Sequence, residues 1–240
     1  MAHLFLERAR LHNLTKDRAD LRAQFRWETI NAVTYKIGGI IFILGSIFFF
    51  PALERYANIG AWSFFIGSLF YLVVTVHDLA EVRHNWKTEV RHSFFLILEF
   101  VAAISYVFGT ILFTVGSALF MSAIEKYTAG AWCFVIGSLL FLVGAVVNVL
   151  QIVKASSVVT LQLMNFTAIT FVVGSVLFTV ASVPYLWNVD ASPFHIILYD
   201  FLAWQYLTGS MLFFLGGVFN FWRAYLVMRG QIANQVQGKE

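Results

Sequence analysis

The side chains best suited to chemistry crowd one short stretch: His77, Asp78, Glu81, His84, Glu89 and His92. Glu81-x-x-His84 and Glu89-x-x-His92 each have the i, i+3 spacing with which facing helices hold a pair of iron ions. Here the two motifs lie eight residues apart on one segment. That is about 12 Å along a continuous helix, too far to share a metal pair. Only a turn at Asn85–Trp86 would bring them together. The stretch therefore reads as a solvated connector, and no metal site is expected. His195 and Asp200, further on, have no companion groups.

A second set of polar residues recurs at fixed places. Glu28 and Glu99 stand ten residues before Gly38 and Gly109, with Met164 in the equivalent place before Gly174. Asp78, Asn148 and Asn220 each stand eleven residues after a glycine, Gly67, Gly137 and Gly209. Around a common axis these would form one acidic ring and one rich in amides. Such rings could line a polar vestibule or bind a cation. The plainer reading has them cap helix ends and tie neighbouring units together. Lys36 lies close enough to the start of its apolar run for the stem to snorkel back to the interface. No glycine-rich phosphate loop, nucleophile elbow or HExxH motif occurs. The expectation is a protein with no catalytic residues and no cofactor, not an enzyme.

The elements that must position these groups are apolar. Of the 240 residues, 60% are hydrophobic, 18% aromatic and only 12% charged, against about a quarter charged in soluble domains. Runs longer than about 18 residues read as membrane spans, and six are expected, near 30–52, 61–80, 100–122, 131–151, 161–187 and 199–221. The fold class is all-α, a polytopic membrane protein. The lone Cys133 sits in mid-span and allows no intramolecular disulfide. The 26 phenylalanines invite a quinone, pigment or lipid pocket, but aromatic rings filling space beside glycine account for most of them.

Basic residues set the expected orientation. Thirteen of the sixteen Lys and Arg fall in the first 29 residues, the second and fourth loops and the tail; Arg55 and Lys126 lie opposite, and Lys36 lies within a span. The positive-inside rule places both termini in the cytoplasm. Residues 1–29 are not a signal peptide. Leu4, Leu11, Leu14, Leu21 and Phe25 share one face of a basic helix that lies either on an anionic membrane surface or on the protein's own loops.

The chain repeats itself. Small residues seven apart, glycines in all but one place, mark each apolar run: Gly38/Gly45-Ser46, Gly60/Gly67-Ser68, Gly109/Gly116-Ser117, Gly130/Gly137-Ser138, Gly174/Ala181-Ser182 and Gly209-Ser210/Gly216. Small residues at i and i+7 clear a stripe for close, left-handed helix packing in hydrocarbon, where apolar burial alone gains nothing. The serine can bond its own helix at i−4 or reach across. The runs pair into three parallel helical hairpins, over 30–93, 94–160 and 161–228, between the basic arm 1–29 and a polar tail 229–240. Related by an axis along the membrane normal, they could form either a ring or a row.

Ile37-Gly38-Gly39-Ile40-Ile41-Phe42-Ile43-Leu44-Gly45-Ser46-Ile47-Phe48-Phe49-Phe50-Pro51, with Gly60-Ala61-Trp62-Ser63-Phe64-Phe65-Ile66-Gly67-Ser68, resembles the YrhK-like domain of bacterial membrane proteins, a two-helix module with a Gly-Ser in each helix. The likeness is fullest over 27–81, fair over 99–151 and weakest in the third hairpin. It implies a bacterial inner-membrane protein and carries no reaction. The expected function is a packing scaffold or accessory subunit of a membrane assembly. Its partners would be the lipid bilayer and another membrane protein or a second copy, not nucleic acid. The rival is a small transporter or channel for an ion or solute.

Overall fold

Only a helix or a closed barrel satisfies every backbone N–H and C=O inside hydrocarbon, and runs of this length and composition take the first course. A computed structural model describes residues 21–88, 93–152, 157–187 and 194–237. Six long helices follow in order: α1 (Leu21–Ile47), α2 (Ala57–Thr88), α3 (Phe94–Leu119), α4 (Tyr127–Val149), α5 (Val158–Ser182) and α6 (His195–Gln237). All six are long and apolar enough to cross a membrane. Short 3-10 turns at Pro51–Tyr56 and Val183–Leu186 follow α1 and α5. Both begin near a proline, which cannot continue the helical hydrogen bonding. Ser93 and Ser157 cap α3 and α5, accepting from the backbone N–H of Leu96 and Thr160.

Several boundaries differ from the sequence reading. The first helix begins at Leu21, so residues 21–29 belong to α1 rather than to a separate arm. Residues 1–20 of that arm lie outside the described residues, as do Glu89, His92 and positions 238–240. The polar tail is helical through Gln237 as the end of α6. The expected solvated connector after 80 is instead the last turns of α2, with Glu81, Val82 and Asn85 buried. Apolar periodicity fades there, but packing against neighbouring helices does not. With 32 residues in α2 and 43 in α6, these helices are about 48 and 64 Å long. They outrun a hydrocarbon core of about 30 Å.

Each helix packs on the next, and α6 packs back on α1. The hairpins therefore form a closed ring. Two buried contacts fasten the closing seam: the Tyr35 hydroxyl donates to the Phe213 carbonyl at 3.0 Å, and the Ser46 and Ser210 hydroxyls share a hydrogen bond of 3.0 Å. Lys36 joins the same seam. Its ammonium lies 4.3 Å over the Phe221 ring of α6, a cation–π contact rather than a simple return to the interface. Large apolar side chains cover the outside. Trp62, Trp132 and Trp204, the same position of each hairpin, are 48, 52 and 55% exposed at the end away from the termini, where an aromatic belt would anchor.

Candidate functional site: an aromatic axis and a buried polar end

The axis is built on a seven-residue aromatic repeat. Tyr35, Phe42 and Phe49 in α1 correspond to Tyr106, Phe113 and Phe120 in α3 and to Phe171, Phe178 and Tyr185 in α5. Phe64 and Tyr71 of α2 correspond to Phe134 and Phe141 of α4 and to Tyr206 and Phe213 of α6. Seven residues are two helical turns, so each helix turns these rings to one side. That side faces the axis. Phe42, Phe113 and Phe178 form a triangle there, with ring centroids 5.5–6.4 Å apart. The void left among the rings is about 10 Å³, at the lower limit of the ~10–15 Å³ that one water needs.

The glycine stripes supply the holes for these rings. A Cβ on Gly67 would stand 2.8 Å from Phe42, on Gly45 2.8 Å from Phe64, on Gly137 2.9 Å from Phe113 and on Gly209 2.8 Å from Phe178. Backbones also touch within each hairpin. Cβ atoms on Gly38, Gly60, Gly109, Gly116, Gly130 and Gly174 would lie 3.0–3.3 Å from the carbonyl oxygen of a glycine on the partner helix. Gly216 faces Thr170 and Phe171 across α5. Rings and the holes left by facing glycines thus form a specific arrangement. Gly217 belongs with them, because a Cβ there would collide with Tyr35 at the closing seam.

The serines use both options that the sequence offered. Ser46, Ser117, Ser138 and Ser182 each donate to the carbonyl four residues back at 2.7–2.8 Å, and Ser68 donates to Phe65. Ser46 and Ser182 also reach across, to Ser210 and to the Tyr206 hydroxyl. Replacing Gly109 by leucine puts Cβ 3.0 Å from the Gly137 carbonyl, a backbone atom that cannot swing aside. The expected cost is about 3 kcal/mol, read as a shift in the SDS-unfolding midpoint of the full chain in mixed micelles.

At the end bearing the termini the same register turns polar. One heptad beyond Tyr71, Phe141 and Phe213 stand Asp78, Asn148 and Asn220; one heptad before Tyr35, Tyr106 and Phe171 stand Glu28, Glu99 and Met164. All six are buried. Five of these positions lie well inside their helices, whereas Asn148 is the next-to-last residue of α4. A further layer was not anticipated. Glu81, Gln151 and Arg223 follow Asp78, Asn148 and Asn220 by three residues and are 0, 1 and 3% exposed. The signal was present in the sequence, since the three positions are equivalent in the repeat, but their differing chemistry concealed it.

Hydrogen bonds tie parts of this end to the core. The Asn148 side-chain amide donates to the Tyr106 hydroxyl at 2.9 Å. Arg223 donates to the Asn220 carbonyl oxygen at 3.2 and 3.3 Å. The Trp27 indole N–H donates to His77 Nε2 at 2.8 Å, linking α1 and α2.

The metal idea has no turn to support it, because α2 runs unbroken through Asn85 and Trp86 to Thr88. Among the described residues, no three His, Cys, Asp or Glu side chains converge as metal ligands. His195 and Asp200 both lie in the opening turns of α6.

Residues 25–82 and 97–153 each match the family model described as YrhK-like protein. These are the first two hairpins, and the match stops short of α5 and α6. No curated protein and no solved structure matches the chain.

Proposed function

We propose, for a chain that carries the YrhK-like module twice and folds a third hairpin on the same plan, a non-conducting, non-catalytic role in a membrane. It acts as a packing scaffold or accessory subunit of a membrane assembly, with both termini in the cytoplasm of a bacterial inner membrane. One observation carries this reading. Among the described residues the axis of the ring is filled by aromatic layers, which leave a void of about 10 Å³ among them. The continuous apolar exterior fits lipid and membrane-embedded partners. Interfaces in hydrocarbon need only close packing and a few hydrogen bonds. The excess of Lys and Arg at the end bearing the termini supports the orientation.

Gentle affinity purification from native membranes, followed by mass spectrometry, tests the reading. It should recover a stoichiometric membrane partner or a homo-oligomer; recovery of a lone monomer would overturn it.

The buried polar layers favour a second reading, a transporter for a small ion. Buried ionisable side chains in spanning helices are a recurrent mark of ion pathways. That reading requires solute flux in proteoliposomes which Asp78→Ala or Glu99→Ala reduces. Wild-type flux unchanged in both variants would count against these layers as its route.

A further inference from the structure

Lys36 is a cation at the outer surface of the ring with no anion beside it. It is half-buried at the seam between α1 and α6, its ammonium lies 4.3 Å over the Phe221 ring, and no carboxylate of the described residues pairs with it. An ammonium has three N–H donors, and a ring face offers them no oxygen. The fold does not ask for this charge. The positions of Lys36 in the second and third hairpins are Val107 and Val172. Phe221 and Trp222 correspond to Leu79 and Ala80 in α2 and to Val149 and Leu150 in α4. The other two seams between hairpins are thus apolar at this point. An ionisable group beside hydrocarbon is costly enough that it marks a functional site.

A count along one helix gives the depth. Trp204 and Trp222 of α6 are equally exposed, 55% each, and stand eighteen residues apart. That is about 27 Å along the helix axis, close to the hydrocarbon thickness of about 30 Å. The two indoles therefore sit where the two aromatic belts of a membrane would lie. Phe221 is next to Trp222, which brings the Lys36 ammonium to the headgroup boundary at the end bearing the termini. Further toward that end Phe25 closes the seam against Tyr225, with ring centroids 5.9 Å apart. The exposed charged residues near it on these two helices, Arg26 and Arg229, are also basic, while the nearby acid of α1, Glu28, is buried. The group that lies at this depth with the opposite charge is the phosphate of an anionic phospholipid. Its oxygens would take the ammonium's donors while its acyl chains lie along exposed Val33 and Ile37.

We propose that the α1–α6 seam, through Lys36 beside Phe221 and Trp222, binds the phosphate of an anionic phospholipid from the leaflet at the terminus-bearing end. The inference needs only that the helices span a bilayer, and it holds for a scaffold and a transporter alike. The test uses the purified full-length chain in micelles of a neutral detergent at constant ionic strength. Its Tm is followed as phosphatidylglycerol is added, or phosphatidylcholine with the same acyl chains at the same mole fraction, or inorganic phosphate without lipid. Wild type should gain about 3 °C or more over the phosphatidylcholine sample at roughly ten times Kd, along a saturating curve. Lys36→Met keeps the length, removes the charge and should fold, since valine stands at the equivalent positions. It should need about five times more phosphatidylglycerol for the same gain, the worth of one basic side chain at an anionic surface. Lys36→Arg should bind like wild type, and Arg83→Met, exposed on α2, should leave the titration unchanged. Equal Tm in the two lipids would overturn the site whatever the variants do. An unchanged titration in Lys36→Met would overturn it too; if that variant also loses a protein partner on purification from native membranes, the ammonium pairs with a partner's carboxylate instead. An equal loss in Arg83→Met would reduce the effect to net charge, and a gain matched by inorganic phosphate would assign the seam to a free anion. Either would contradict the lipid site.

Discussion

Phe113→Ala should destabilise the folded ring by about 3 kcal/mol, the lower end of the roughly 3–5 kcal/mol seen for Phe→Ala in packed cores. Phe113 is 4% exposed and meets four rings from three other helices: Phe42, Phe134, Phe141 and Phe178, with centroids 5.2–6.3 Å away. In water much of such a loss comes from transferring the ring out of solvent. In hydrocarbon that contribution shrinks, because a phenyl ring gains little by leaving lipid. What remains is lost dispersion and the cavity left on the axis. The contrast is Phe108→Ala on the same helix. Phe108 is 56% exposed on the outer face, and its truncation should stay within about 0.5 kcal/mol. SDS-unfolding midpoints in mixed micelles compare the two. Equal losses at the two positions would mean that the axis is not the packed core.

Arg223→Met should cost a further about 3–5 kcal/mol, the usual penalty for removing one partner from a buried set of charges. Methionine fills much of the same volume but removes the one basic side chain buried among the described residues, at the end where four carboxylates are buried. It also withdraws the two hydrogen bonds to Asn220. Arg83→Met is the control, since Arg83 is exposed on α2, and its effect should fall near zero. A small loss for Arg223→Met would show that the carboxylates are already neutralised by something other than the guanidinium.

Much of this architecture is legible in the residues themselves. Small residues at intervals of seven, a glycine pair in five of the apolar runs and Gly174/Ala181 in the other, predict six helices in three hairpins. The matched spacings from Tyr35 and from Tyr106 predict that the first two hairpins share one structure. The third is harder to read because Leu202 and Ala181 stand where the other hairpins have glycines, and its outer link is longer. Its core register nonetheless survives in Phe171, Phe178, Tyr206 and Phe213. Closure into a ring is not legible, because it depends on α1 meeting α6. Contacts such as Tyr35 against Gly217 and Phe213, and Ser46 against Ser210, make that meeting.

The aromatic axis could have been read from spacing alone, since Tyr35, Phe42 and Phe49 recur at the same interval in α3 and α5. Phenylalanine is so abundant here that its periodicity hides among the lipid-facing rings. The buried layer of Glu81, Gln151 and Arg223 escaped for a different reason. A charged stretch after an apolar run reads as solvated loop, whereas α2 and α6 are long enough to pack beyond the spans and bury it.

The closed ring is the claim on which the filled axis and the buried polar layers both depend, and one cross-link tests it most directly. Ser46 and Ser210 sit on α1 and α6 with hydroxyls 3.0 Å apart, at opposite ends of any row of hairpins. In a chain carrying C133S, S46C and S210C and a protease site inserted between the second and third hairpins, mild oxidation should join the two positions within one molecule. After cleavage the two fragments should stay linked until a reductant is added. Fragments that separate without reductant, or that link only between two copies of the chain, would contradict the ring.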